Sequence, residues 1–256
     1  MNKATAVADE KPLEMFKIIR YPSLLLAIVF SLGFTLAGVS SDTGITIMAA
    51  EKANTAAVPL TSNKFSEWAL CNAGISEEAF GYAMKGYEYL HSNNRLANES
   101  VITIVDFSKP STQKRLYVID MKSGNIIFNT LVAHGRNSGH VYAADFSNKA
   151  SSLESSPGFY VTGGTYNGKN GYSLRLAGCE KGFNDNAMNR GIVLHGADYV
   201  SETFIQQNGF LGRSHGCPAV PASVSKKIID NIKNGSCLFV YFPSKKYLQQ
   251  SALLKS

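Results

Sequence analysis

"GIVLHGAD" (residues 191–198) is a short apolar run, rich in β-branched and aliphatic residues, that ends in a histidine followed by glycine. A run that short, with glycine at both ends, predicts a buried strand rather than a helix. The same pattern recurs from residue 100 onward. "VITIVDF" (101–107), "RLYVIDM" (115–121), "NIIFNTLVA" (125–133), "GFYVT" (158–162), "YSLRLAG" (172–178) and "CLFVYFP" (237–243) are punctuated by stretches containing Gly, Asn or Ser. Only one late segment, "SVSKKIIDNIKNG" (223–235), has helical spacing: Val224, Ile228, Ile229 and Ile232 line one face, and Gly235 suits the stop position. An earlier segment, "GISEEAFGYAMKGYEYLHSNN" (74–94), predicts a helix capped by Ser76 that packs on the main domain. Many short strands with one or two peripheral helices give an α+β, predominantly β, domain over residues 75–244, followed by a tail at 245–256.

Upstream the character changes. Lys17 and Arg20 precede an apolar run from about Leu24 to Val39, with small residues after it. That length is at the short limit for a membrane span and the upper limit for a signal-peptide core. Residues 1–40 are therefore expected to be an export signal or an amino-terminal anchor, and the only part to contact a membrane. Either way the remainder lies outside the cytoplasm, in the periplasm or cell envelope. Residues 41–74 read as a linker, its first two-thirds rich in Ala, Thr and Ser.

The chain has 256 residues and a formal charge of +6, with its lysines scattered rather than clustered. This gives no support for a nucleic-acid partner and suits an anionic surface or a carboxylate-rich substrate, or solubility alone. Four cysteines (71, 179, 217 and 237) show no C-x-x-C spacing, which argues against zinc ribbons and thioredoxin-like chemistry. If Cys217 stays free, one disulfide or none is expected.

Cys217 lies in "GRSHGCPAVP" (212–221). The thiolate is the reactive form, so a working Cys needs a base and favourable polarity. Arg213 and His215 supply positive potential, Gly216 frees the backbone for N–H groups to converge on an oxyanion, and Pro218 fixes the chain that follows. His195, 22 positions earlier, can reach across from a neighbouring strand as the base. His215 is its rival. His134 ends a similar run, "TLVAHGRNSG" (130–139), and either strand-end histidine could equally be a structural one satisfied by backbone.

Together "HGAD…GRSHGCPAV", "VAHGRNSG", "FSN", "SSPGFYVT", "YNGKNGYSLRLAG", "GFNDNA" and "HGADYV" resemble the L,D-transpeptidase (YkuD-like) family, in its murein L,D-transpeptidase catalytic domain branch. The resemblance covers residues 75–244. It implies a β-sandwich-type catalytic domain with peripheral helices, acting on peptidoglycan stem peptides. Cys217 would attack the L-centre carbonyl of diaminopimelate in a tetrapeptide stem and expel D-Ala. An amine acceptor (a stem peptide, a D-amino acid or a protein lysine) would resolve the thioester. His195 would serve as base, oriented by a backbone carbonyl, and N–H groups around Ser214, His215, Gly216 and Cys217 would form the oxyanion hole. Many relatives carry an arginine soon after the cysteine, and here Arg213 is the last arginine in the chain. Carboxylate recognition would then fall to Arg213, Arg136, Arg175 or Arg190, with His134 and Gly196 as further substrate-binding candidates.

Other readings are an L,D-carboxypeptidase or cross-link hydrolase using the same thioester, a non-catalytic wall-binding module, a sortase-like enzyme and a zinc peptidase. The sortase reading lacks its arginine, and no HExxH or similar ligand pair exists, so neither metal nor cofactor is expected.

Overall fold

In the computed structural model, which describes residues 60–255, β1 (Val101–Asp106) is buried at every position. Its alternate residues serve two different cores. Ile102 and Ile104 face one cluster, whereas Val101 and Val105 face another. β2 (Leu116–Asp120) and β8 (Cys237–Tyr241) split the same way, Tyr117 and Phe239 to one side, Val118 and Leu238 to the other. A strand buried on both faces needs no polar alternation, which is why these runs read as continuous apolar stretches.

The remaining strands are β3 (Ile126–Thr130), β4 (Gly158–Gly168), β5 (Gly171–Gly178), β6 (Val193–Ala197) and β7 (Ala219–Pro221). All eight form one mixed sheet in the order β3-β2-β1-β8-β4-β5-β6-β7, parallel only at β1–β8 and β6–β7. The sheet curls until its ends nearly meet: Ala133, just past β3, bridges to Ala219 in β7. The expected α+β, predominantly β, architecture therefore takes the form of a sandwich-like, nearly closed sheet.

Helices cover both faces. α1 (Leu60–Glu67), α2 (Glu77–Ser92) and two short carboxy-terminal helices share the first cluster. α2 is capped by the Ser76 side chain, as its sequence predicts. α3 (Glu202–Asn208) follows β6, and α4 (Ala222–Ile232) buries Ile228, Ile229 and Ile232 in the second cluster. Fully burying side chains of this size contributes about 1.5–3 kcal/mol each.

Two expectations are revised. The stretch assigned to a linker, 41–74, already contains α1 and a 3-10 turn at Leu70–Ala73, with Phe65 and Leu70 buried. The tail, 245–256, forms α5 (Lys245–Gln250) and α6 (Ala252–Lys255), which bury Tyr247, Leu253 and Leu254. The buried Glu180 anchors it by accepting from Tyr247 Oη at 2.8 Å and from Ser251 Oγ. All four cysteines are free thiols. The signal or anchor expected at residues 1–40 lies outside the described residues. Among the described residues no helix is long and apolar enough to cross a membrane.

Candidate active site

β6 and β7 run side by side in parallel, with His195 opposite Ala219. This places Cys217, two residues before Ala219, at the entrance to β7 beside the histidine strand. Gly196 belongs to the other face of β6, where α4 comes so close that a Cβ would lie 2.6 Å from Ser225 Oγ and 3.1 Å from Ala222 Cα. Only glycine allows that approach. Because successive side chains alternate, seating Gly196 against α4 turns His195 to the opposite face.

That face opens on a cleft of about 490 Å³ lined by His195, Cys217, Lys169, Tyr199, Arg213 and His215, among others. The His195 Nδ1 lies 2.9 Å from the Gly196 carbonyl. A carbonyl can only accept, so Nδ1 carries the proton and Nε2 keeps its lone pair. Burial lowers the His195 pKa, with the Gly196 contact opposing. Burial raises the Cys217 thiol, against the Val193 amide and the Arg190 cation. Both shifts favour a neutral thiol beside a neutral imidazole at rest.

The turn carrying Cys217 is held from within and from behind. Ser214 Oγ accepts from Gly216 N at 3.0 Å and donates to Cys217 O at 2.6 Å. The Gly216 N–H is therefore taken up by Ser214, a correction to its expected place in an oxyanion hole. Gly216 itself has φ 116°, and a Cβ there would meet the Glu154 carbonyl at 2.7 Å. Behind the turn, Ser214 N donates to His134 O, Arg136 N donates to Ser214 O and Ala133 N donates to Ala219 O. Ser155 Oγ accepts from Gly135 N and donates to Gly216 O.

The structure does not bring His134 or Arg136 into the cleft lining. His134 is fully buried. Its Nδ1 accepts from Arg115 at 2.8 Å, which leaves Nε2 to donate to Gly139 O at 3.3 Å. Burial, then the Arg115 charge, push its pKa down to about 4. Both nitrogens are occupied inside the protein, away from the cleft lining. The Arg136 side chain is exposed, and it is the backbone of this residue that holds the turn. Arg175 stacks on Tyr166 outside the cleft.

Arg213 does line the cleft. It gives one hydrogen bond, to Gly139 O at 3.2 Å, and rests on the Phe210 ring, which itself packs on His140. Arg190 is bound internally by the loop at 147–156. Lys169 and Tyr199 were not singled out from sequence. Tyr199 lies in "HGADYV", and burial and the nearby Cys217 raise its pKa to about 12. A second cavity, of about 470 Å³ around Phe146, Phe183 and Phe242, contains none of the predicted residues. Among the described residues, no three His, Cys, Asp or Glu side chains are grouped to hold a metal.

The fold and cleft thus define a β-rich domain in which a cysteine at the entrance to one strand and a histidine on the adjacent parallel strand line one cleft. A model of the L,D-transpeptidase catalytic domain family matches residues 71–241, and the chain belongs to that family. No curated protein matches. Among solved structures, the chain resembles an L,D-transpeptidase from Mycobacterium smegmatis at 12% identity, over 56% of this chain and 59% of that one, with TM-score 0.35. It also resembles one from Stackebrandtia nassauensis at 19% identity, over 65% and 67%, with TM-score 0.35. A third, from Mycobacterium tuberculosis, is 13% identical over 56% and 58%, with TM-score 0.37. The chain thus spans less than two-thirds of the length of the first of these relatives.

Proposed function

We propose that the protein is an exported, cysteine-dependent L,D-transpeptidase of peptidoglycan. The observation that carries this reading is the shared cleft of Cys217 and His195, with Nδ1 of the histidine committed to Gly196 O and Nε2 left as a base. The Sγ proton passes to Nε2, and the thiolate attacks the L-centre carbonyl of diaminopimelate in a tetrapeptide stem. Collapse expels D-Ala, which takes the proton from His195. An acceptor amine then attacks the thioester, gives its proton to His195 and releases Cys217. The N–H groups of His215 and Cys217 serve the oxyanion, since that of Gly216 is occupied. Arg213, with one internal bond and its charge facing the cleft, is the arginine best placed to receive a substrate carboxylate. The apolar run at 24–39 supports export to the periplasm or envelope.

Purified protein incubated with muropeptides tests the reading. Cross-linked dimers are expected, absent in C217A and reduced about 10²–10⁴-fold in H195A. Tripeptide without dimers would identify a carboxypeptidase, and no turnover a binding module. A carbapenem should leave a mass adduct on Cys217. An adduct on Cys179 or Cys237 instead would mean a different thiol is the nucleophile.

A further inference from the structure

Arg190 stands directly behind the nucleophile turn. Its Nη2 lies 3.2 Å from the position a Gly216 Cβ would take. The next residue, Gly191, offers its carbonyl to the Cys217 thiol at 3.8 Å. Four hydrogen bonds fix the guanidinium: Nη1 to Ser147 O (2.7 Å) and Ser156 Oγ (2.5 Å), Nη2 to Ser152 Oγ (3.1 Å) and Glu154 O (2.6 Å). All four acceptors are neutral. The cation is thus immobilised with no carboxylate among these partners to cancel its charge, and both terminal nitrogens are engaged within the protein.

We propose that Arg190 is the fixed counter-charge of the Cys217 thiolate, a positioning residue that favours ionisation of the nucleophile without touching the substrate. The proposal rests on the reading of Cys217 as nucleophile. When the Sγ proton moves to His195 Nε2, a negative charge appears on sulfur in a largely buried setting. A cation held nearby in low-dielectric surroundings stabilises that charge. The direction of its influence on the thiol agrees, since Arg190 counteracts the effect of burial. The other charged or titratable groups around the thiol are His195 on β6, the exposed Asp198 and then Tyr199 beyond it, the exposed Lys169 between β4 and β5, Arg213 and His215 on its own loop, and Tyr160 and Glu154 beside Arg190. Of these, His215 is exposed, Arg213 is half-buried and Tyr199 is held neutral by burial.

The test is the pH dependence of iodoacetamide alkylation at Cys217, followed by mass of its peptide, in the full chain and in R190Q, R190M and R190K. The neutral variants should move the midpoint up by about one pH unit, about tenfold less thiolate at neutral pH, while R190K stays near the parent. R190M keeps the aliphatic stem in its slot and serves where R190Q fails to fold. A purely structural Arg190 would lower thermal stability without moving the midpoint. An unmoved midpoint in a folded neutral variant, or an equal shift in R190K, overturns the proposal. Absence of muropeptide turnover by the parent would sink the enzymatic reading alone, because alkylation reports the thiol directly.

Discussion

Ser214 shows how much one hydroxyl can organise. It accepts from Gly216 N and donates to Cys217 O, so the turn around Cys217 is closed through its Oγ. S214A leaves a buried amide and a buried carbonyl without that partner, at about 1–3 kcal/mol for each group left unsatisfied. The chain on either side remains tied to the segment at 133–136, so the variant is expected to fold. It should lose at least about 2 kcal/mol in urea unfolding and at least about tenfold in dimer formation, because Cys217 is no longer held in line. Unchanged turnover in S214A would show that the turn needs no internal tie.

At the scale of elements, the contact of β6 with α4 orients His195, the proposed base. G196A places a methyl against Ser225 Oγ and Ala222 Cα, and overpacking of this kind costs about 1–3 kcal/mol. Turnover should fall with stability, since the displaced strand carries His195. The S225A background should not rescue it, because the Ser225 Cβ still lies 2.9 Å away. Full recovery would put the clash elsewhere. These elements were also where the sequence was most and least readable. β1, β2 and β8 stood out as β-branched or aromatic runs of strand length, and the Ser76 cap announced α2. β7 has only three residues, and α5 and α6 have 6 and 4, too few for a period to show. Their burial comes from packing against distant strands. His134 and His195 look alike in sequence, each a strand-end histidine before glycine. One meets the buried Arg115 and the other a cleft, and no local pattern carries that difference. Cys217 and His195 stood out because their residue types restrict the chemistry, and the structure places both in one cleft. Use of the Gly216 N–H by Ser214 was not legible, since it depends on backbone angles in the turn.

The closure of the whole sheet has its own pH dependence. Ala133, whose N–H reaches Ala219, lies beside His134, and Arg115 holds that seam through Val132 O and His134 Nδ1. Arg115 is itself fully buried, its pKa lowered to about 9 by desolvation and still well above neutral. Protonating His134 would remove the acceptor that Arg115 uses and set two cations together. The folded pKa is about 4 against an ordinary 6.5. Between those values the unfolded chain binds more protons than the folded one, so stability rises with pH and is lost as pH falls from about 6.5 toward 4. The full contribution is at most about 3 kcal/mol. H134N keeps an oxygen acceptor for Arg115 but does not titrate. Urea unfolding of both proteins at pH 7 and pH 4.5 should show a larger acid loss in the parent, by about 1–2 kcal/mol. The difference isolates the histidine from Asp106 and Glu180, whose carboxyl pKa values are raised by burial and whose stability contributions run the opposite way with pH. If the two proteins lose stability in parallel on acidification, His134 does not guard the seam, and the acid sensitivity of the fold must arise elsewhere.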